Sequence, residues 1–163
     1  MDISNGPGIR VSIFMQGCTF HCKNCFNPET HDFNGGQEFT DEKIQLILDL
    51  CKADHILGLS ILGGEPMHPR NIDGTAKLAK AFKQVYPNKT IWVWSGFLFD
   101  RDLKDTEAVK YIDVLVDGQF VDELKDPTLK WKGSRNQRVI DVQRSLQEGQ
   151  VILLESENEQ VTI

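Results

Sequence analysis

The chain has 163 residues, 40% of them hydrophobic and 26% charged, a composition typical of one globular domain over residues 1–163. Eighteen basic against 24 acidic residues give a formal charge of −6, with no lysine- or arginine-rich run of the kind that binds nucleic acid. The apolar runs are too short to span a membrane, and the N-terminus has no signal-peptide pattern. We therefore expect a cytoplasmic protein without nucleic-acid or membrane partners.

Short apolar runs alternate with helical stripes along the chain, which predicts βα units around a mostly parallel sheet. The first strand is predicted over 9–15, and a helix capped by Thr40 follows, with Ile44, Ile47, Leu48 and Cys51 on its buried stripe. The later elements are predicted as a strand at 57–62, a helix at 72–85, a strand at 90–95, a short helix at 105–110, a strand at 112–118, a polar loop at 125–138, a strand-to-helix segment at 139–149 and a late strand at 151–155. These are too few units for an eight-stranded barrel, so we expect an α/β fold with an open partial (β/α) barrel.

Four polar or glycine-rich segments follow predicted strands, namely residues 17–28, 63–66, 95–96 and 117–118. In open parallel sheets and α/β barrels, ligands bind at the C-terminal ends of the strands. We therefore expect the four segments to converge on one binding site.

Three cysteines lie in "CTFHCKNC", residues 18–25, and the chain has one other, Cys51. Three thiolates suit a cubane iron–sulfur cluster, in which the fourth iron keeps an open coordination position. A zinc site completed by His21 or His31 is the competing hypothesis, although no second ligand pair follows at the usual spacing. A thioredoxin-like disulfide motif is disfavoured because it uses a single CxxC and leaves Cys18 without a role.

The CxxxCxxC motif followed by "GGEP" at 63–66 resembles the radical S-adenosylmethionine superfamily. The stretches "SNGPGIRVSIFMQGC", "CFNPETHDF", "DVLVDGQF" and "WKGSRNQRVID" look like the activating enzyme of the anaerobic (class III) ribonucleoside-triphosphate reductase, a resemblance that covers about residues 4–141. It implies an open partial barrel of the radical SAM type. It also implies an enzyme that cleaves S-adenosylmethionine reductively at a 4Fe-4S cluster and uses the 5′-deoxyadenosyl radical to form a glycyl radical on the reductase.

The resemblance also implies roles for individual residues and a low-potential electron donor such as flavodoxin. Three residues are expected to ligate the cluster and three to hold the methionine end of S-adenosylmethionine: Cys18, Cys22 and Cys25, then Gly63, Gly64 and Glu65. Four further residues are expected beside the cofactor: Asn27, Ser95, Gly96 and Asp117. Each of these four also has a local alternative, because such residues commonly begin turns or end strands.

Three alternatives remain at this point. The chain resembles activases of other glycyl-radical enzymes, such as that of pyruvate formate-lyase. A small-molecule radical SAM enzyme such as a deazapurine synthase would share the CxxxCxxC and GGEP motifs. A non-catalytic zinc-binding module would use the same cysteines without any chemistry.

Overall fold

The computed structural model describes residues 4–18, 20, 32 and 39–154, which form an α/β fold around a five-stranded sheet. The strands are β1 (Ile9–Met15), β2 (Ile56–Gly63), β3 (Thr90–Trp94), β4 (Val114–Asp117) and β5 (Arg138–Asp141). They lie side by side in chain order; β1 to β4 are parallel, and β5 is antiparallel to β4. Since β1 and β5 are the two edges of this sheet, it stays open, and the predicted α/β class with a partial barrel is confirmed.

Three α-helices accompany the sheet within the described residues: α1 (Asp41–Leu50), α2 (Ile72–Val85) and α3 (Val142–Glu148). Thr40 caps α1 as predicted, because its side chain accepts a hydrogen bond of 3.3 Å from the Lys43 amide. Single turns of π- or 3₁₀-helix lie at Phe99–Leu103, Ala108–Tyr111 and Asp122–Leu124. The longest helix in the described part of the chain has 14 residues, short of the ~20 that a membrane span requires.

The two faces of the sheet bury different side chains. On one face, alternate strand residues such as Leu59 and Val93 pack with α1 and α2 in the main core, which includes Cys51 with no exposed surface. This confirms the predicted core role of Cys51, and burial raises the pKa of its thiol to about 11. A smaller apolar cluster covers the opposite face, here called the inner face: Trp92, Val114, Val116 and Val139, with Trp94, Trp131 and Leu154 packed against them.

Arg10 is a fully buried cation on the inner face, near the N-terminal ends of β2 and β3. Its Nε donates to Ser60 Oγ at 2.9 Å, and its two Nη atoms donate to the hydroxyl and carbonyl oxygens of Thr90 at 3.0 and 2.8 Å. The guanidinium carbon also lies 5.9 Å from the centroid of the Trp92 ring. These contacts join three strands at the end of the sheet opposite to the predicted ligand site.

Two predicted elements differ from the observed ones. The short helix expected at 105–110 is observed as a single 3₁₀ turn at Ala108–Tyr111. A further turn that was not predicted precedes it at Phe99–Leu103, where the Asp117 carboxylate accepts a hydrogen bond from the Phe99 amide. The late strand expected at 151–155 is, over residues 151–154, only an isolated bridge between Leu153 and Ile140. The Ile152 amide donates to the Ser145 hydroxyl at 2.9 Å and is therefore not available for a strand ladder.

Gly58 is a position at which the sheet tolerates no side chain. A Cβ there would lie 1.9 Å from the Thr90 carbonyl oxygen and 2.7 Å from Arg10 Nη2. We expect Gly58→Ala to lower the free energy of unfolding by about 1–3 kcal/mol, since β2 and β3 must separate to relieve the overlap. Urea denaturation measures this loss.

Gly74→Ala is the matched control for Gly58→Ala, because the substitution is the same but the site is on α2. The nearest atom to the added methyl is a Phe39 ring carbon at 3.2 Å, and alanine gains up to ~1 kcal/mol over glycine in a helix. We expect a small change of either sign. Equal losses for the two variants would contradict the steric argument at Gly58.

Candidate functional site

A cavity of about 720 Å³ opens at the C-terminal ends of the parallel strands. Its volume lies within the ~300–1,000 Å³ usual for small-molecule sites. The described parts of all four polar segments that follow strands contribute to its wall: Cys18, then Gly63, Gly64 and Glu65, then Ser95 and Gly96, and Gly118. The expected convergence of these segments therefore produces a single concave site.

Glu65 lines this cavity with a carboxylate that accepts three hydrogen bonds, although only 1% of its surface is exposed. Its Oε2 accepts hydrogen bonds from Ser95 Oγ at 2.7 Å and from the Met67 amide at 2.9 Å. Its Oε1 accepts one from the Gly96 amide at 2.6 Å. The carboxylate therefore links the loop after β2 to the residues that follow β3.

The carboxyl group of Glu65 has room for one more donor. An ionised carboxylate has about four acceptor positions, and the three hydrogen bonds here use two on Oε2 and one on Oε1. Burial raises the pKa of Glu65 to about 7, against the opposing effect of the three donors. A cationic group entering the cavity would favour the ionised form, so the site is chemically suited to an ammonium ligand.

The loop after β2 is also bonded directly to the chain at Cys18. The Gly64 amide donates to the Met15 carbonyl at 2.7 Å, and the Glu65 amide donates to the Gly17 carbonyl at 2.8 Å. Gly63 has φ +109, and a Cβ there would lie 2.6 Å from the Met15 amide nitrogen, so glycine is required. The start of the cysteine loop and the GGEP loop thus have a fixed relative position.

Of the predicted cluster ligands, the structure describes Cys18, which is buried and lines the cavity. The other residues predicted for this loop lie outside the described residues: Cys22, Cys25 and Asn27, together with the alternative zinc ligands His21 and His31. Within the described ranges, no three histidine, cysteine or acidic side chains form a metal-binding group. The three-cysteine ligand set therefore stays a prediction.

Asp117 lies beside the cavity, but its carboxylate is bonded to protein groups. It is fully buried, and it accepts hydrogen bonds from Arg138 Nη2 at 2.6 Å, Arg138 Nε at 3.0 Å and the Phe99 amide at 2.8 Å. The hydrogen bonds from Arg138 to Asp117, together with its bond to Asp100, raise the pKa of the Arg138 guanidinium further above its ordinary value. The next residue, Gly118, lines the cavity. The geometry gives Asp117 a supporting role, and its predicted contact with a cofactor stays untested.

Comparison with known proteins decides the family of the chain. A family model described as a 4Fe-4S single cluster domain matches residues 4–140. The anaerobic ribonucleoside-triphosphate reductase-activating protein of Salmonella typhi is 43% identical over 142 residues, which cover 85% of this chain and 92% of that protein. The chain belongs to the family of anaerobic ribonucleoside-triphosphate reductase-activating proteins.

Other members of the activating-protein family show similar agreement. The Escherichia coli K12 protein of the same name is 42% identical, with the same coverage of both chains. The protein of that name from Enterobacteria phage T4 is 39% identical over 139 residues, covering 85% of this chain and 87% of its own. No solved structure is detectably similar to the chain. The resemblance to radical SAM activating enzymes that the motifs indicate is thus confirmed.

No sequence motif identifies several of the aromatic residues that surround the cavity. Phe20 packs edge-on to Phe97, with ring centroids 5.0 Å apart, and a Cβ at Gly96 would lie 2.6 Å from the Phe20 ring. Further aromatic wall residues come from the segment 118–133, namely Phe120 and Trp131. The aromatic residues are visible in the sequence, but only the folded chain places them around one cavity.

Proposed function

We propose that the protein is the activase of an anaerobic ribonucleoside-triphosphate reductase. In this function it binds a 4Fe-4S cluster and S-adenosylmethionine, and a low-potential donor such as flavodoxin supplies the electron. A cluster held by Cys18, Cys22 and Cys25 would supply one electron for the reductive cleavage of S-adenosylmethionine to methionine and a 5′-deoxyadenosyl radical. This radical would take a Cα hydrogen from one glycine of the reductase, which would give 5′-deoxyadenosine and a glycyl radical. The names of the relatives support the choice of partner.

The observation that carries the proposal is that Cys18 and Glu65 line the same cavity. Cys18 would ligate the cluster together with Cys22 and Cys25. Its position shortly after β1 would fix the first of the three ligands. Glu65 would accept a hydrogen bond from the ammonium of the methionine moiety at its remaining acceptor position. Gly63 and Gly64 would let the backbone approach that moiety closely.

Other described residues would position the ligand without contacting the reacting atoms. Ser95 and Gly96 hold the Glu65 carboxylate, which orients it toward the cavity. The aromatic residues of the cavity wall, Phe20, Phe120 and Trp131, would exclude water from the adenosyl end of S-adenosylmethionine, because their apolar side chains replace solvent there. Asn27 and Asp117 are proposed as further neighbours, the latter acting through the Phe99 and Gly118 backbone.

The test is reconstitution of the protein with iron and sulfide under anaerobic conditions, followed by dithionite, S-adenosylmethionine and the reductase. Electron paramagnetic resonance detects a glycyl doublet, and chromatography detects 5′-deoxyadenosine. We expect both products from the wild type and neither from Cys22→Ala. Cys51→Ala is the matched control, since that cysteine belongs to the helical core and its loss should leave both products present.

Each other outcome selects a different function. Deoxyadenosine without a doublet keeps the cleavage reaction but rejects this reductase, which favours another glycyl-radical enzyme or a small-molecule substrate. If protein with a full cluster forms neither product, the activase function is rejected. Tight binding of one zinc per chain, with no iron taken up, would instead identify the non-catalytic binding module.

A further inference from the structure

Residues 125–138 reverse the charge of the chain locally. This segment contains five basic residues and one acidic residue, and the remainder of the chain has 13 basic against 23 acidic residues. The basic residues are interspersed with polar ones, so the sequence shows no conspicuous basic run. In the fold, Lys125 and Lys132 line the cavity, and Lys130 and Arg135 are exposed beside it. We call these four residues the basic rim.

The basic rim is held on a well-bonded loop. The Trp94 indole donates to the Trp131 carbonyl at 2.6 Å, and the Trp131 ring packs edge-on to Trp92 with centroids 5.5 Å apart. The Gln137 side chain accepts from the Gly133 amide at 2.8 Å and donates to the Gly118 carbonyl at 2.9 Å. Trp131 has φ +66, an unusual conformation that these contacts maintain. The backbone that carries the four basic residues is therefore well supported beside the cavity.

Neighbouring acidic groups neutralise the rim only in part. Asp126 lines the same cavity, and its carboxylate accepts from the hydroxyl and the amide of Thr128. These hydrogen bonds, and the nearby charge of Arg135, lower the pKa of Asp126. Asp122 and Glu123 lie in the preceding turn, and Glu123 is exposed. Arg138 is excluded from the rim, because its guanidinium binds Asp117 and Asp100. The four basic residues of the rim outnumber the three acidic residues beside it, Asp122, Glu123 and Asp126, in a chain whose remainder is strongly acidic.

Resting on the proposed function, we propose that the basic rim docks an acidic surface of the reductase next to the target glycine. Charge complementarity would bring that surface to the mouth of the cavity, and the acidic remainder of the chain would disfavour other orientations. The glycine-bearing protein is a better occupant than an electron donor because the rim is continuous with the cavity. Hydrogen transfer requires atomic contact there, and electron transfer does not.

The test compares two double charge reversals that change net charge equally. Lys130→Glu with Arg135→Glu alters the basic rim at residues outside the cavity wall. Lys52→Glu with Lys80→Glu is the control; both of its lysines are exposed, at the end of α1 and on α2. Sedimentation or calorimetry measures binding to the complete reductase at low and at high salt. Thermal unfolding checks that both variants fold.

We expect the rim variant to raise the dissociation constant about tenfold or more at low salt, and to flatten its salt dependence. The control variant should shift it by less than about threefold. Equal shifts, or wild-type binding that does not weaken with salt, would overturn the proposal. A loss of glycyl-radical formation in the rim variant that appears with flavodoxin as electron donor and disappears with dithionite would also overturn it, because the rim would then bind the donor.

The binding measurement is independent of catalysis. Deoxyadenosine formation by the cluster-loaded wild type without reductase tests the proposed function separately. A chain that cleaves no S-adenosylmethionine, yet binds the reductase through the rim, would lose the proposed reaction and keep the docking surface.

Discussion

Glu65→Gln is expected to lower the free energy of unfolding of the protein and its affinity for S-adenosylmethionine. Three donors converge on the carboxylate, from Ser95, Met67 and Gly96. An amide has one oxygen and one NH₂ group, so in either orientation one backbone N–H of Met67 or Gly96 faces another donor. Leaving a buried donor without its acceptor costs about 1–3 kcal/mol, which urea denaturation of the cluster-free protein measures.

The same substitution removes the negative charge proposed to bind the ammonium of S-adenosylmethionine. A hydrogen bond to a charged group contributes about 1.5–3 kcal/mol, so affinity should fall roughly tenfold to a hundredfold. Calorimetry with S-adenosylhomocysteine, which carries the same amino-acid end and is not cleaved, measures binding apart from turnover. Unchanged affinity in a folded Glu65→Gln protein would place the ammonium elsewhere.

The pH dependence of stability separates the effect of the charge of Glu65 from the effect of its shape. Because burial raises the pKa of this carboxyl from 4.5 to about 7, the folded protein binds the proton more tightly than the unfolded chain. Stability of the cluster-free wild type, relative to Glu65→Gln, should therefore fall as pH rises from about 4.5 to about 7 and then level off. A constant difference across this window would show that the carboxyl titrates normally.

Arg138→Met is expected to be the most destabilising change outside the cavity. It would leave the fully buried Asp117 carboxylate with the Phe99 amide as its only remaining partner among the hydrogen bonds described here. Removing one member of a buried ion pair costs about 3–5 kcal/mol, and we expect a value near the lower end because Arg138 is 32% exposed. Denaturant unfolding gives the magnitude.

The second change in this test is Asp117→Leu in the Arg138→Met background. It removes the uncompensated carboxylate but leaves the Phe99 amide without its acceptor, so part of the lost stability should return. Arg101→Met is the control, since Arg101 pairs with Asp102 at an exposed site and should give no measurable change. If Asp117→Leu brought a further loss in the double variant, the buried charge would not be the cause of the instability.

Local patterns in the sequence predict most of the elements correctly. The strand over 9–15 and the helix over 72–85 have the observed bounds, and the stripe from Ile44 to Cys51 faces the core as expected. These features depend on residues two to four positions apart, which a periodic pattern reveals. The cysteine spacing and GGEP motif likewise indicate the family because their members lie close together in the chain.

The wrong predictions depend on contacts between distant residues. Nothing near residue 152 indicates that its amide bonds to the Ser145 hydroxyl, so an apolar run was predicted as a strand. The turn at Phe99–Leu103 is missed because its first amide donates to Asp117, which lies eighteen positions later in the chain. Side chains that compete for backbone groups override local propensity in both places.

The sequence by itself determined the α/β class, the order of most elements, the family and the residues expected to bind cluster and cofactor. Only the tertiary structure decided that Glu65 is held by Ser95 and Gly96, that Asp117 is paired with Arg138, and that residues 125–138 form a basic rim. The physical reason is that strand order brings together loops that lie far apart in the chain, such as those at Cys18, Glu65 and Gly118. Hydrogen bonds and charge distribution at the cavity depend on that arrangement, and periodicity within one element contains no information about it.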